Sequence, residues 1–331
     1  MGTSDARTLA TDILAVVMQH QRLDNQAACA GRPRPCERCV EAHVARTAHF
    51  VARGEPVEFV LPGFPAKSPN PRKVLGVAPD MAERLSLDFL ARLCDRISMR
   101  YPPGGRIVIC SDGRLFTHVV NFTDADVTLY QSEIQALIDD MDGTSLDLFH
   151  LGQHFPGHEY ESMRTMLVSR YAEDIEKVEQ NVRADDDSLR KYLGLTRFLL
   201  EDMLTPDYRG SRRALQKRAR HAAYHLLQRS DAWSNLLAER FPHAVRLSIH
   251  PQPCGSAKLG IHLMDAAEDN WLTPWHGTAV EVDDERWVLM KREQAEALDV
   301  ELVHIAGQPS HYRSKEPVSA IAAGSESRLV C

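Results

Sequence analysis

The sequence lacks the long apolar runs of a membrane protein. Uninterrupted hydrophobic stretches such as Ile107 to Cys110 fall far short of the ~18–20 residues a spanning helix needs. A secretory leader is missing as well. The apolar stretch from Ile13 to Met18 follows Asp5, Arg7 and Asp12 and leads into Gln19-His20-Gln21-Arg22, without the basic region and small-residue cleavage site of a signal peptide. Position six carries Ala6 where myristoylation prefers Ser or Thr, and Cys331 is terminal rather than four from the end, so lipid anchoring is not expected. These absences point to a cytoplasmic chain with no membrane partner. Internal repeats, a Gly-rich dinucleotide fingerprint, a Walker loop and a Gly-x-Ser-x-Gly elbow are absent too, which removes the common nucleotide-binding and hydrolase readings.

Cysteine is sparse. An odd count of seven, scattered over 331 residues, argues against a disulfide framework and for thiols kept reduced. Cys29, Cys36 and Cys39 crowd together with His43 and His49 close behind, so a zinc site can be drawn. Structural zinc sites usually show two paired ligand sets, and here one pair stands with a single further cysteine. The expectation is no metal and no cofactor.

What the chain does have is core-forming material: 44% hydrophobic and 26% charged residues, with a net charge of −7. The length slightly exceeds what one hydrophobic core usually serves, so one large domain or two closely packed ones are expected. Helical periodicity predicts helices over Asp5 to Arg22 and Glu37 to Arg53, the second stopped by Gly54. Val57 to Leu61 reads as a strand followed by a Pro- and Gly-broken loop to Val74. A helix is expected from Asp80 to Arg100, a buried strand from Arg106 to Cys110, a helix from Thr123 to Met141 and a strand from Ser145 to Leu151. This alternation predicts an α/β fold, a Rossmann-like mostly parallel or mixed sheet flanked by helices.

From about Glu159 to Phe241 strand signals vanish, and Glu161 to Val182, Asp187 to Leu204 and Arg212 to Arg229 read as helices, a helical insertion. Short strands resume at Val245 to Ile249, Leu259 to Leu263, Thr278 to Val282, Arg286 to Met290 and Glu301 to Ile305, as an extension of the first sheet. The expected division is an N-terminal helical segment (1–55), the first part of the core (56–158), the insertion (159–241), the remaining core strands (242–306) and a disordered tail (307–331).

In an open parallel sheet, ligands bind beyond the carboxyl ends of the strands. The loop Pro65-Ala66-Lys67-Ser68-Pro69-Asn70-Pro71-Arg72-Lys73 combines cations, a hydroxyl and an amide in a proline-stiffened segment, which suits an anion such as phosphate or a plain solvated turn. Ser111-Asp112-Gly113-Arg114 follows the next strand and reads as a turn or as a placed carboxylate. Further on, alternation puts Arg246, Ser248 and His250 on one strand face, and Lys258, His262 and His276 add groups able to exchange protons near neutrality. No close ligand pair turns these histidines into a metal site. The basic run Arg209, Arg212, Arg213, Lys217, Arg218, Arg220 raises nucleic-acid binding. An acidic chain without a nucleic-acid motif favours instead a solvated helix face or pairing with Asp185-Asp186-Asp187.

Five motifs in order resemble one family. They are Lys67-Ser-Pro-Asn-Pro-Arg-Lys-Val-Leu-Gly76 with Pro79-Asp80-Met81-Ala82-Glu83; Ser111-Asp112-Gly113-Arg114; Phe241-Pro242 with Val245-Arg-Leu-Ser-Ile-His250; Lys258-Leu-Gly260; and Thr273-Pro-Trp-His-Gly277. From about residue 57 to 290 the chain resembles the isocyanide (isonitrile) synthase branch of the pyoverdine/dityrosine biosynthesis family. The resemblance implies conversion of the α-amino group of an aromatic amino acid, Tyr or Trp, to an isocyanide, with ribulose 5-phosphate as carbon donor and neither metal nor redox cofactor. It also implies a downstream Fe(II)/2-oxoglutarate oxygenase as pathway partner.

On that basis residue chemistry gives Lys67, Arg72 and Lys73 to the sugar phosphate, with Ser68, Asn70, Ser111 and Ser248 as further substrate-binding groups. Arg114, Arg246 or Lys258 would meet the amino-acid carboxylate, and Trp275 would form a wall for the aromatic ring. Asp112, His250, His276 and Lys258 would carry the proton traffic. A related amino-acid N-formylating or sugar-phosphate enzyme on the same scaffold is the alternative, and a nucleic-acid-binding protein a remote one.

Overall fold

The computed structural model describes residues 3–24, 29, 35–141, 143, 145–264, 272–283 and 286–315. In chain order the elements are α1 (Thr3–Met18), α2 (Glu37–Arg53), β1 (Val57–Pro62), α3 (Met81–Ser98), β2 (Gly105–Ser111), α4 (Gly113–Phe116), α5 (Asp124–Asp139), β3 (Leu146–His150) and α6 (Leu151–His154). The helices α7 (Tyr160–Tyr171), α8 (Ile175–Ala184), α9 (Asp186–Met203) and α10 (Arg212–Arg240) follow. The chain then forms β4 (Val245–Ser248), β5 (Leu259–Gly260), a 3-10 turn at Pro274–His276, β6 (Thr278–Asp283), β7 (Arg286–Met290), α11 (Arg292–Ala295), β8 (Val300–Ile305) and β9 (Gln308–Ser314).

The first five strands build a parallel sheet in the order β3-β2-β1-β4-β5. Their alternation divides apolar side chains between two cores, one on each face. Phe59, Leu61, Ile107, Ile109, Val245 and Leu247 pack with Leu90, Leu93, Ile134 and Val44 from α3, α5 and α2. Val60, Val108, Cys110 and Phe149 point the other way, into Ala219, Trp233, Leu236 and Leu237 of α10. Trp233 stacks on Phe149 with ring centroids 5.7 Å apart. The fold is therefore α/β, a parallel sheet flanked by helices on both faces, with α7 to α10 forming one flank.

Helix starts follow local chemistry. Asp80 accepts from Ala82 N at 2.9 Å while its own N–H donates to Glu83 Oε2, which opens α3; Thr123 and Asp126 open α5 in the same reciprocal way. The single helix expected over Glu161 to Val182 is two, α7 and α8, and α10 continues past the expected Arg229 to Arg240.

Two expectations for the last third are corrected. The strands from Thr278 onward do not extend the first sheet; they form a second one, β7-β6-β9-β8, mixed in direction. The two-residue β5 offers a neighbour only the register Leu247↔Leu259 and Ser248↔Gly260, too short a ladder to build on. The second sheet instead packs Ala279 and Leu289 against Ala82 of α3. Gln308–Ser314, expected as part of a disordered tail, is β9, paired on both sides. Its polar composition carries no strand pattern, and order comes from tertiary partners: the Tyr312 hydroxyl donates to Glu296 Oε1 at 2.8 Å, and His311 and Arg313 flank Glu281. The rest of that expected tail, residues 316–331, lies outside the described residues. Among the described residues no helix is long and apolar enough to cross a membrane.

Candidate active site

Because all five strands of the first sheet run parallel, their carboxyl ends share one edge. Strand order reverses between β1 and β4: the chain moves from β1 to β2 and β3 on one side and later to β4 and β5 on the other. Connections leaving in opposite directions open a crevice there. Three chain segments border it: the loop after β1, Asp112 after β2, and the β4–β5 connection with His250. The Pro274–His276 turn is tied to the β1 loop by Ser68 N donating to Trp275 O at 2.8 Å.

The β1 loop is more rigid and less available than an anion-binding loop should be. Lys67 is fully buried, with Nζ 2.8 Å from Asp80 Oδ2, 2.7 Å from Glu83 Oε2 and 3.2 Å from Pro274 O. Burial alone would lower the ammonium, but the two carboxylates outweigh it and its pKa is raised. Burial pushes the Asp80 carboxyl up to about 7 against the pull of Lys67. Tyr130 donates to the other oxygen of Glu83 at 3.0 Å. Lys67 is thus a buried anchor joining the loop to α3, with both carboxylates already on the ammonium that was expected to meet the phosphate.

Asp202, near the end of α9, gathers the next set. Ser68 Oγ donates to Asp202 Oδ1 at 2.9 Å, Lys73 Nζ lies 2.6 Å from the same oxygen, and His276 Nε2 is 3.5 Å from Oδ2. Burial would raise this carboxyl, but His276 and Lys73 hold it down at about 2. Lys73 also reaches Glu201 at 3.3 Å, Lys291 pairs with Glu201, and Phe198 lies under Lys73 and meets the His276 ring edge-on. The other His276 nitrogen, Nδ1, is 2.8 Å from Thr273 Oγ1, so both ring nitrogens are engaged. Asn70 donates to Glu201 O at 3.0 Å and accepts from Arg72 N at 3.1 Å, which shapes the loop, while the Arg72 side chain is exposed. Sequence reading quoted Asp80 and Glu83 in the first motif without giving them a role and missed Glu201 and Asp202. Asp80 and Glu83 were legible as a helix-start pair. The Glu201-Asp202 pair at the end of an insertion helix gives no local sign of its partners.

Asp112 is different. Gly113, beside it, touches the β1 loop so closely that a Cβ there would lie 2.0 Å from Pro65 O, so only glycine fits. This contact sets Asp112 against the loop. Its Oδ1 is buried without a hydrogen-bond partner among the described residues, and burial raises the carboxyl to about 7. Neighbouring Ser111 is spoken for: its hydroxyl donates to Phe64 O at 2.8 Å and accepts from Gln131 at 3.0 Å.

On the β4 side the cations form no ion pairs among the described residues. Lys258 and Arg246 have no carboxylate within salt-bridge distance among the described residues. Desolvation, Arg246 and Lys191 lower the Lys258 ammonium, opposed by Asp231 alone. Arg246 donates to Ser234 Oγ at 2.7 Å and keeps a buried, unpartnered Nε. His250 retains solvent access, yet protein crowds its imidazole, and desolvation followed by Arg22, Lys258 and His276 pushes it down to about 4. It is a neutral ring at pH 7. Ser248 accepts from His250 N at 3.1 Å and from Gln252 Nε2 at 3.2 Å, so its hydroxyl shapes the bend after β4.

Three sequence candidates sit elsewhere. Arg114 is buried on Asp124 and Thr128 and stacks 3.7 Å from the Tyr160 ring centroid, closed to a substrate carboxylate. Trp275 is 2% exposed, packed in the core against Phe64 and the backbone at Gly63. The basic run is exposed, Arg209 before α10 and the rest on its first turns; Asp187 pairs with Arg190 and Asp185 caps α9, so of the two readings the solvated face fits rather than pairing with Asp185-Asp186-Asp187.

Residues 47–303 match the family described as pyoverdine/dityrosine biosynthesis protein. The chain is 47% identical over 302 residues to the L-tyrosine isonitrile synthase of Pseudomonas aeruginosa, covering 90% of this chain and 92% of that one. It is 41% identical over 310 residues to the L-tryptophan isonitrile synthase AmbI2 of Fischerella ambigua, covering 93% of each. The crystal structure of the PvcA protein from Pseudomonas aeruginosa superposes with a TM-score of 0.86 at 46% identity, over 92% of this chain and 99% of that chain.

Proposed function

We propose, from the premise that this chain belongs to the pyoverdine/dityrosine biosynthesis family, that it is an isonitrile synthase. It acts on an aromatic L-amino acid, tyrosine or tryptophan, and takes the isonitrile carbon from C2 of ribulose 5-phosphate. The observation that carries the reading is the 47% identity, across nine-tenths of both chains, to a synthase named for tyrosine.

The site chemistry supports it. The substrate amine must lose its proton before it can attack a ketone, and later steps remove protons from the sugar carbons and release phosphate. Asp112, a carboxyl at about 7 with a bare oxygen, is matched to accept a proton at neutral pH. Lys258 and Arg246, lacking carboxylate partners, are the cations free to bind the phosphate, with neutral His250 as hydrogen-bonding neighbour. Lys73, His276 and Ser68 all hold Asp202. The product feeds an oxidative tailoring enzyme, such as the oxygenase the resemblance implies.

The test is mass spectrometry of purified protein incubated with Tyr or Trp and ribulose 5-phosphate carbon-labelled at C2. Label in the α-isocyano acid or its formamide hydrolysis product is the expected result. A labelled formamide formed in parallel with amine loss, and never preceded by isonitrile, would favour the N-formylating alternative.

A further inference from the structure

Four cysteines outside the crevice meet where the N-terminal segment crosses the β4–β5 connection. The Sγ atoms of Cys29, Cys36, Cys39 and Cys254 all lie within 4.8 Å of one another. Cys36 and Cys254 are 3.7 Å apart and Cys39 and Cys254 3.6 Å. We propose that these four thiols bind a structural zinc ion that clips the N-terminal segment onto the connection carrying His250.

The spacing favours a single tetrahedral metal ion over a disulfide or a cluster. A disulfide needs sulfurs about 2.05 Å apart, and these cysteines are free thiols. Four sulfurs about 2.3 Å from one tetrahedral zinc lie about 3.8 Å from each other; the two Cys254 separations, 3.7 and 3.6 Å, match this, and all four sulfurs lie within 4.8 Å. An iron–sulfur cluster places several irons between its cysteines and spreads them farther. Four thiolates leave no open position, the mark of a structural rather than a catalytic site.

Local structure fits a charged thiolate set. Cys36 is the N-cap residue of α2 with no side-chain capping bond, so its sulfur is not spent on the helix, and Cys39 lies in the first turn. The positive end of a helix favours thiolates. Cys254 precedes Gly255, whose φ of +76° few other residues adopt, and the Arg38 side chain lies over that glycine, its Nε 2.8 Å from where a Cβ would be. That guanidinium offsets the negative charge a tetrathiolate zinc retains. His43 and His49, the partners suggested by sequence proximity, are not part of the group; His49 stacks on His243 at 3.7 Å between centroids. The missing ligand comes from 215 residues away. Around it the same two segments already pair: Arg22 N donates to Gly260 O at 2.8 Å, Gln252 N to Arg22 O at 3.2 Å and His262 N to His20 O at 2.9 Å.

The experiment is metal analysis of the full chain, purified without chelators. One zinc per chain is expected, retained in Cys94→Ala and lost in Cys39→Ser/Cys254→Ser, whose Tm falls by roughly 5–15 °C. Should the double variant not fold, the unaltered protein still decides. An organomercurial should release zinc in step with thiol modification, and protein produced with cobalt should show the thiolate charge-transfer and intense visible bands of a tetrahedral sulfur site. Metal-free protein with four titratable thiols that takes up no cobalt overturns the proposal, as does a disulfide among these cysteines or full zinc occupancy in the double variant.

Discussion

The two sides of the crevice carry similar cations in opposite electrostatic states. After β1, Lys67 and Lys73 are locked onto Asp80, Glu83 and Asp202. On the β4 side, Arg246 within the strand and Lys258 beyond it are partly buried and form no ion pair with a carboxylate among the described residues. A buried charge taken from water must be compensated, by an acid in the fold or by an anion that arrives later. On the β1 side the fold supplies the compensation; on the β4 side the proposed anionic substrate would supply it. On that proposal, charged loops that look alike in sequence divide into a scaffold and a binding surface.

Asp112 is the sharpest place to break this comparison, since it is an acid of the same edge that holds no cation. Asp112→Asn should lower kcat by roughly 10²–10⁴-fold if the carboxylate is the general base. In the unaltered enzyme, kcat/KM should fall as pH drops below about 7, and this limb should disappear in the variant. Stability should move the other way. A folded-state value raised above the unfolded one favours folding at low pH and loses that contribution as pH climbs from 3.8 through about 7. The Asn variant, free of that charge, should gain Tm relative to the parent as pH rises over this interval. Equal activity at pH 8 would remove Asp112 from proton transfer.

Next in size is Lys67→Met. Removing the ammonium strands Asp80 and Glu83 in a dry site, and about 3–5 kcal/mol of stability should be lost in urea unfolding. Lys73→Met should cost less, because Asp202 keeps Ser68 and His276. A Lys67 variant of normal stability that fails only in sugar-phosphate binding would place the anion on the β1 side after all.

Lys258→Met probes the opposite side. One charge-assisted contact is worth about 1.5–3 kcal/mol, so KM for ribulose 5-phosphate should rise roughly 10–100-fold with Tm nearly unchanged. The contrast between these lysines, one failing in stability and the other in substrate binding, is the comparison in measurable form.

Sequence alone carried much of the fold because its signals are local. Capping at Asp80 and Thr123, the period of α3, and the doubly apolar β2 need no tertiary knowledge. The second sheet was misread because β9, with Ser310 and His311 buried, owes its order to neighbours on both sides rather than to its own alternation. Within the site, polarity and position after a strand picked out Asp112 and His250. They did not tell a cation already paired from one without an ion pair, because Asp202 reaches Ser68 from 134 residues away. The same distance problem hid Cys254 from its partners.

The smallest effect is expected on α10, where the basic run offers a control for charge without a built site. Arg213 and Lys217 are exposed, and the helix beneath them is anchored by Leu215 and Ala219. Arg213→Ser/Lys217→Ser should therefore change stability by no more than about 0.5 kcal/mol per residue and leave KM for the sugar phosphate unaltered. These cations lose little solvation in the fold, so they have no unmet need for an anion, whereas Lys258 does. Salt should separate the two sites: weak screening of binding at the partly buried Lys258, and strong screening of whatever nonspecific nucleic-acid association the α10 face supports. If the α10 variant weakened sugar-phosphate binding as much as Lys258→Met, net positive charge rather than unpaired burial would govern recognition, and the division between the two sides of the crevice would lose its meaning.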